Sequence, residues 1–102
     1  MLDDLKTLLG ITNAQQDSLL TLLLSKSSTY ILNRCNIDAV PTGLESAQVD
    51  IAVVIFNRLG TEGETSRSEG GLSTAFAKGM PKTITDELSM FAKIYVIGED
   101  DA

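Results

Sequence analysis

The chain of 102 residues has no histidine and no tryptophan, one cysteine, two prolines and only 5% aromatic residues. Without histidine there is no Ser-His or Cys-His nucleophile pair, no imidazole base and no common zinc donor. The lone Cys35 excludes an intrachain disulfide. So few rings leave aliphatic side chains to build nearly all of any core. Basic residues are scarce too: 8 Lys and Arg stand against 14 Asp and Glu, a net charge of −6. Binding to nucleic acid regardless of its sequence depends on neutralising phosphates with Lys and Arg. An acidic chain without a basic run therefore argues against DNA as a ligand, and against an anionic membrane surface. Long apolar runs are missing as well. The longest, Leu22–Leu24 and Ile51–Phe56, fall far below the roughly 20 residues that span a bilayer. Met1-Leu2-Asp3-Asp4 has no positive region ahead of an apolar run and reads as no signal peptide. The expectation is a soluble protein.

What is present suits helices. The chain is 43% hydrophobic and 22% charged, and its length fits one domain over residues 1–102. Leu2, Leu5, Leu8 and Leu9 share a face of a short first helix, with Asp3 and Asp4 in its first turn and Gly10 as its stop. Thr12 and Gln15 match a capping box, predicting a long second helix to about Cys35. Its stripe is Leu20, Leu23, Leu24, Ser27, Ile31 and Arg34 or Cys35, widened by Leu19, Leu22 and Tyr30. At about 22 residues and ~33 Å this would be the longest element. After a connector around Pro41 and Gly43, a third helix from Leu44 to Leu59 places Leu44, Ala47, Gln48, Ile51, Ala52, Ile55 and Leu59 on one face. Val49, Val53, Val54 and Phe56 make it apolar almost all round, so it belongs at the centre, with Gly60 ending it.

Residues 61–82 differ in kind. Five of the eight glycines (Gly60, Gly63, Gly70, Gly71 and Gly79) fall in or beside this stretch, among many hydroxyls. Gly70-Gly71 lies between two short alternating runs, which signals a β-hairpin whose second arm puts Leu72, Thr74 and Phe76 on one face. The alternative is an ordinary loop. Loops near 20 residues are uncommon in compact domains and are usually functional or disordered, so this excursion, read as flexible, is the functional candidate. A last helix follows Pro81, with Thr83 as N-cap and Asp86 and Glu87 in its first turn. It carries Ile84, Leu88, Phe91 and Tyr95 on one stripe and Met90, Ile94 and Ile97 on another. A small monomer needs one such stripe; the second reads as a wider core or as a surface covered by another subunit. Residues 98–102 read as a frayed acidic tail.

No catalytic constellation stands out. The glycine pairs lack the Lys-Ser/Thr of a phosphate loop. Glu62, Glu64 and Glu69 lack calcium-loop spacing and read as an exposed acidic loop. Cys35 reads as a small buried apolar residue. Arg58 and Arg67 flank the excursion, either as solvated charges or as partners of acidic residues across a subunit boundary. No enzyme, cofactor or metal site is implied. The fold class expected is all-α: a small bundle of about four helices, with a Gly/Ser-rich loop or β-hairpin excursion before the last.

Several stretches taken in order resemble a known family. They are Gln16-Asp17-Ser18-Leu19-Leu20, Pro41-Thr42-Gly43-Leu44, Asn57-Arg58-Leu59-Gly60, Glu62-Gly63, the run Ser66-x-Ser68-Glu69-Gly70-Gly71-x-Ser73, and Pro81-x-x-Ile84 ahead of Leu88 and Tyr95. Together they are similar to the small head–tail connector (adaptor) proteins of long-tailed bacteriophages and related prophages. That resemblance implies a structural virion protein at the head–tail junction, assembled in the host cytoplasm. It would form a homo-oligomeric ring that docks on the portal protein and extends the DNA channel. The ring would also offer an attachment surface to a stopper or tail-completion protein. On this reading the portal and subunit contacts are Arg58, Glu62, Arg67, Ser68, Glu69, Gly70, Gly71, Leu72, Phe76, Met90, Ile94 and Ile97, and acidic residues lining the channel let DNA pass without specific binding. The competing reading is a small helical regulatory protein that binds a single protein partner.

The charge balance yields a direct expectation. Fluorescence anisotropy with labelled duplex DNA should detect no binding from about 50 to about 200 mM salt; affinity falling steeply with salt across that range would refute the acidic-surface reading.

Overall fold

The aliphatic face of residues 44–59 becomes the axis of the molecule. The computed structural model describes the backbone of residues 1–62 and 75–100 and the side chains of residues 1–59 and 75–92. Its long elements are α1 (Leu2–Leu9), α2 (Asp17–Cys35), α3 (Glu45–Glu62) and α4 (Lys82–Asp100), with a 3-10 turn, Thr42–Leu44, leading into α3. The fold is all-α, and no strand occurs among the described residues. Helix α3 packs against α1, α2 and α4. Helices α1 and α4 each lie against both α2 and α3 and make little contact with one another, which puts them on opposite sides of the central pair.

The core follows the expected stripes. Leu44, Ala47, Gln48, Ile51, Ala52, Ile55 and Leu59 are all buried, as are Leu20, Leu23, Leu24, Ser27, Ile31 and Cys35 of α2. Leu5 closes one side and Ile84 and Leu88 the other. Two polar side chains inside this core are satisfied locally. Gln48 Nε2 donates to the Leu24 carbonyl across the α2–α3 contact (2.8 Å), and Ser27 Oγ donates to the Leu23 carbonyl of its own helix (2.7 Å). Satisfaction of this kind avoids the penalty of a buried unpaired group.

Local chemistry sets the ends. Gly10 adopts a left-handed conformation (φ 72°), while the Ile11 N–H donates to Lys6 O and the Gly10 N–H to Thr7 O, a Schellman stop. Asn36 does the same work for α2 at φ 56°, with the Ile37 N–H donating to Leu32 O. Asparagine tolerates this region better than most residues.

Several expectations are corrected. Helix α2 starts at Asp17, not behind a Thr12 capping box. The Asn13 Oδ1 accepts the Gln15 N–H (3.0 Å), and that local bond holds residues 13–15 in a turn instead of a helix. With 19 residues, α2 equals α4 rather than exceeding it. Gly60 does not end α3, which continues to Glu62. A helical glycine costs only about 1 kcal/mol relative to alanine, and buried Leu59 holds the last turns on the core. Helix α4 starts at Lys82, because the Pro81 carbonyl accepts the Ile84 and Thr85 N–H groups; Thr83 is inside the helix, and Asp86 sits in the second turn, paired with Lys82. Residues 98–100 continue α4 instead of fraying. In α1, Leu8 is 61% exposed. At about 100° per residue, Leu8 lies some 60° to one side of Leu5, with Leu2 and Leu9 on the other. One narrow helix cannot bury both edges.

These burial values predict a contrast. Ile51→Ala should lower the unfolding free energy by about 2–5 kcal/mol through lost transfer energy and a cavity, whereas Leu8→Ala should stay within about 0.5 kcal/mol, as exposed substitutions do. Urea midpoints of the two variants check this.

Candidate functional site

The base of the excursion is built from two contacts that bring the returning chain onto the central helices. Arg58, on the last turns of α3, donates from Nη1 to the Ala75 carbonyl (2.8 Å) and is half-buried. Residues 75–77 are helical, with Ala75 completely buried and Phe76 half-buried against the core. The Phe76 ring lies 6.1 Å from the Tyr30 ring of α2, tilted by 38°. Such a pair adds about 0.5–1.5 kcal/mol beyond its buried area. Gly79 then turns the chain at φ 82°, its N–H donating to Phe76 O, and leads into Pro81 and α4.

The expected site residues are distributed around this base. Arg58 makes a bond within the chain, which assigns its guanidinium neither of the two expected roles. Phe76 was expected on a strand face and is instead part of a helical turn; strand geometry fails here because Ala75 and Phe76 pack on helices and their backbone closes its own turn. Glu62 is the last residue of α3. Arg67, Ser68, Glu69, Gly70, Gly71 and Leu72, with the remainder of the hairpin reading, lie outside the described residues. Met90 is 63% exposed on α4, and Ile94 and Ile97 follow it along the same helix. The half-buried pair Phe91 and Ala92 packs against the core instead.

Elsewhere the described chain offers little reactivity. Burial pushes the Cys35 thiol upward, partly opposed by the Arg34 guanidinium, and its Sγ approaches the Leu88 carbonyl at 3.7 Å. A thiol of raised pKa that is 3% exposed packs as an apolar residue. No cluster of three or more potential metal-binding side chains occurs among the described residues. No helix among them is long and apolar enough to cross a membrane.

Sequence reasoning missed the carbonyl of Ala75 as the partner of Arg58, because a backbone acceptor leaves no compositional signal. It also missed a groove between α1 and the start of α3, lined by Met1, Asp4, Leu8, Glu45, Val49 and Asp50 among others. The spread of four leucines over more than one face of α1 was the available clue.

A family model for phage gp6-like head-tail connector protein matches residues 1–90. No curated protein and no solved structure gives a significant match.

The Arg58 clamp makes a testable demand. Arg58→Met keeps the aliphatic stem but removes a charged hydrogen bond of the kind worth about 1.5–3 kcal/mol, with partial exposure placing the loss at or below the lower end of that range. Limited proteolysis should cut residues 63–74 faster in this variant, while the helical circular dichroism signal is retained; unchanged cleavage would show that the bond does not hold the return.

Proposed function

Because the chain belongs to the phage gp6-like head-tail connector family, and so to the structural proteins of the virion, we propose that it assembles as a ring on the portal at the capsid vertex. There it extends the DNA channel and holds a stopper or tail-completion protein on its far side. The observation that carries this reading is the family match, which spans both central helices, the excursion and the first half of α4.

Physical features agree with it. Ring subunits meet through two different faces of the same molecule, so each copy needs two surfaces to be covered. Met90 is one uncovered apolar residue on α4, and Ile94 and Ile97 extend that helix in the same register. The excursion is the second surface. Its return is held by Arg58 and Phe76, so Glu62, Arg67, Ser68, Glu69, Gly70, Gly71 and Leu72 belong to a segment whose base is tied to the core. In this reading they meet the portal or a sister subunit. The net charge of −6 suits a channel that DNA traverses without phosphate contacts. Assembly takes place in the host cytoplasm before the tail is joined.

The test is sedimentation of the full chain with purified portal, followed by negative-stain imaging. An axial ring on the portal is expected. Replacing residues 64–73 by a Gly/Ser segment of equal length keeps Ala75 and Phe76 on the core, so helicity should persist while portal attachment is lost. A one-to-one complex with some other protein and no ring would favour a regulator. Loss of the fold itself would show that the segment is part of the core.

A further inference from the structure

The groove between α1 and the start of α3 stands apart from the excursion and from the Met90 stripe. It encloses about 550 Å3, within the roughly 300–1,000 Å3 of typical ligand sites. Met1 (44% exposed), Leu8 (61% exposed) and the nearly buried Val49 supply its apolar surface. Its charged residues are Asp4, Glu45 and Asp50, all exposed, and no Lys or Arg is among its described lining. The one lysine of α1, Lys6, is taken up by Asp17 at 2.7 Å. Asp4 and Glu45 also suit the positive ends of their helices. Asp50 lies beyond the first turn of α3, and Leu8 stands uncovered beside these carboxylates.

We propose that this groove docks a partner-protein segment in which one aliphatic or aromatic side chain is flanked by Lys or Arg. The apolar side chain covers Leu8 and Val49, and the cations meet Asp4, Glu45 and Asp50. Apolar burial supplies affinity, and charge complementarity supplies selection and encounter rate. The same charges argue against a second copy of this chain as the occupant. Its exposed Met90 follows Asp86 and Glu87 by one turn, both exposed, so insertion would set carboxylates against carboxylates. The excursion is also acidic on balance, with Glu62, Glu64 and Glu69 against Arg67. Nucleic acid is repelled for the same reason. The groove lies on the α1 side of the bundle, across the central helices from α4. A connector has to hold one partner toward the head and another toward the tail. The assignment of the groove to one of those two partners rests on the connector reading; the docking chemistry does not.

A synthetic amphipathic peptide of Leu and Lys, and a matched peptide of Leu and Glu, titrated into methyl-labelled full-length chain provide the test. The Leu/Lys peptide should shift the Leu8 and Val49 methyl resonances saturably, and the Leu/Glu peptide should not. Leu8→Gln and the combined Asp4→Asn, Glu45→Gln, Asp50→Asn variant should each weaken binding at least tenfold. All four positions except the packed Val49 are exposed, and unchanged thermal unfolding verifies the fold of each variant. Equal binding of the two peptides, shifts spread over α4, or a Leu8→Gln variant that binds like the parent would overturn the proposal. So would self-association of the chain that Leu8→Gln abolishes. Portal sedimentation is read in parallel: Leu8→Gln should still attach. If the parent chain itself fails to attach, the connector reading falls, while the peptide titration still decides the groove.

Discussion

A helix that is apolar on nearly every side cannot be left facing water, and α3 is that helix. Ile51, Ala52 and Ile55 are fully buried, and Val53, Val54 and Phe56, on its other sides, pack at the core's margin. Fully burying one such large aliphatic side chain is worth about 1.5–3 kcal/mol. The gain is collected only if α1, α2 and α4 surround α3 on different sides. A two-turn helix such as α1 is too short to persist alone, and its burial of Leu5 against this core is what keeps it. Ala47, Ala52 and Ser27 are small enough to let α2 and α3 approach closely, and the Gln48 bond to the Leu24 carbonyl spans the contact they make.

From that constraint comes the placement of the candidate surfaces. Leu59 anchors the end of α3, which sets Arg58 where it reaches Ala75, while α2 sets Tyr30 beside Phe76. The base of the excursion is therefore specified by the core. On the other side, the packing of Leu5 inward turns Leu8 outward above the start of α3, and the groove is a by-product of filling one face of a short helix. Both surfaces are consequences of how the central helix is enclosed.

The stripes of α2, α3 and α4 were legible because 3.6-residue periodicity reports burial directly. The glycine-rich composition of residues 61–82 likewise marked a change of structure, and the ordered motifs from Gln16 to Tyr95 marked the family. The helix starts were less legible. Thr12 and Gln15 have the chemistry of a capping box, yet Asn13 competes for the same backbone. Two side chains with the same capability, one residue apart, differ by too little for spacing to decide. Gly60 and Thr83 show the same limit, since packing of Leu59 and the Pro81 carbonyl outweighed local preference.

By itself, the order of residues determined an all-α bundle with an apolar central helix, an acidic surface without histidine chemistry, and membership of a connector family. These are properties of composition, period and motif, each carried by many residues at once. Only the tertiary structure decided which leucine of α1 faces water, that a carbonyl at Ala75 receives Arg58, and that Phe76 rests on Tyr30 within a helical turn. Those outcomes depend on distances between segments far apart in the chain, and periodicity within a segment carries no information about them.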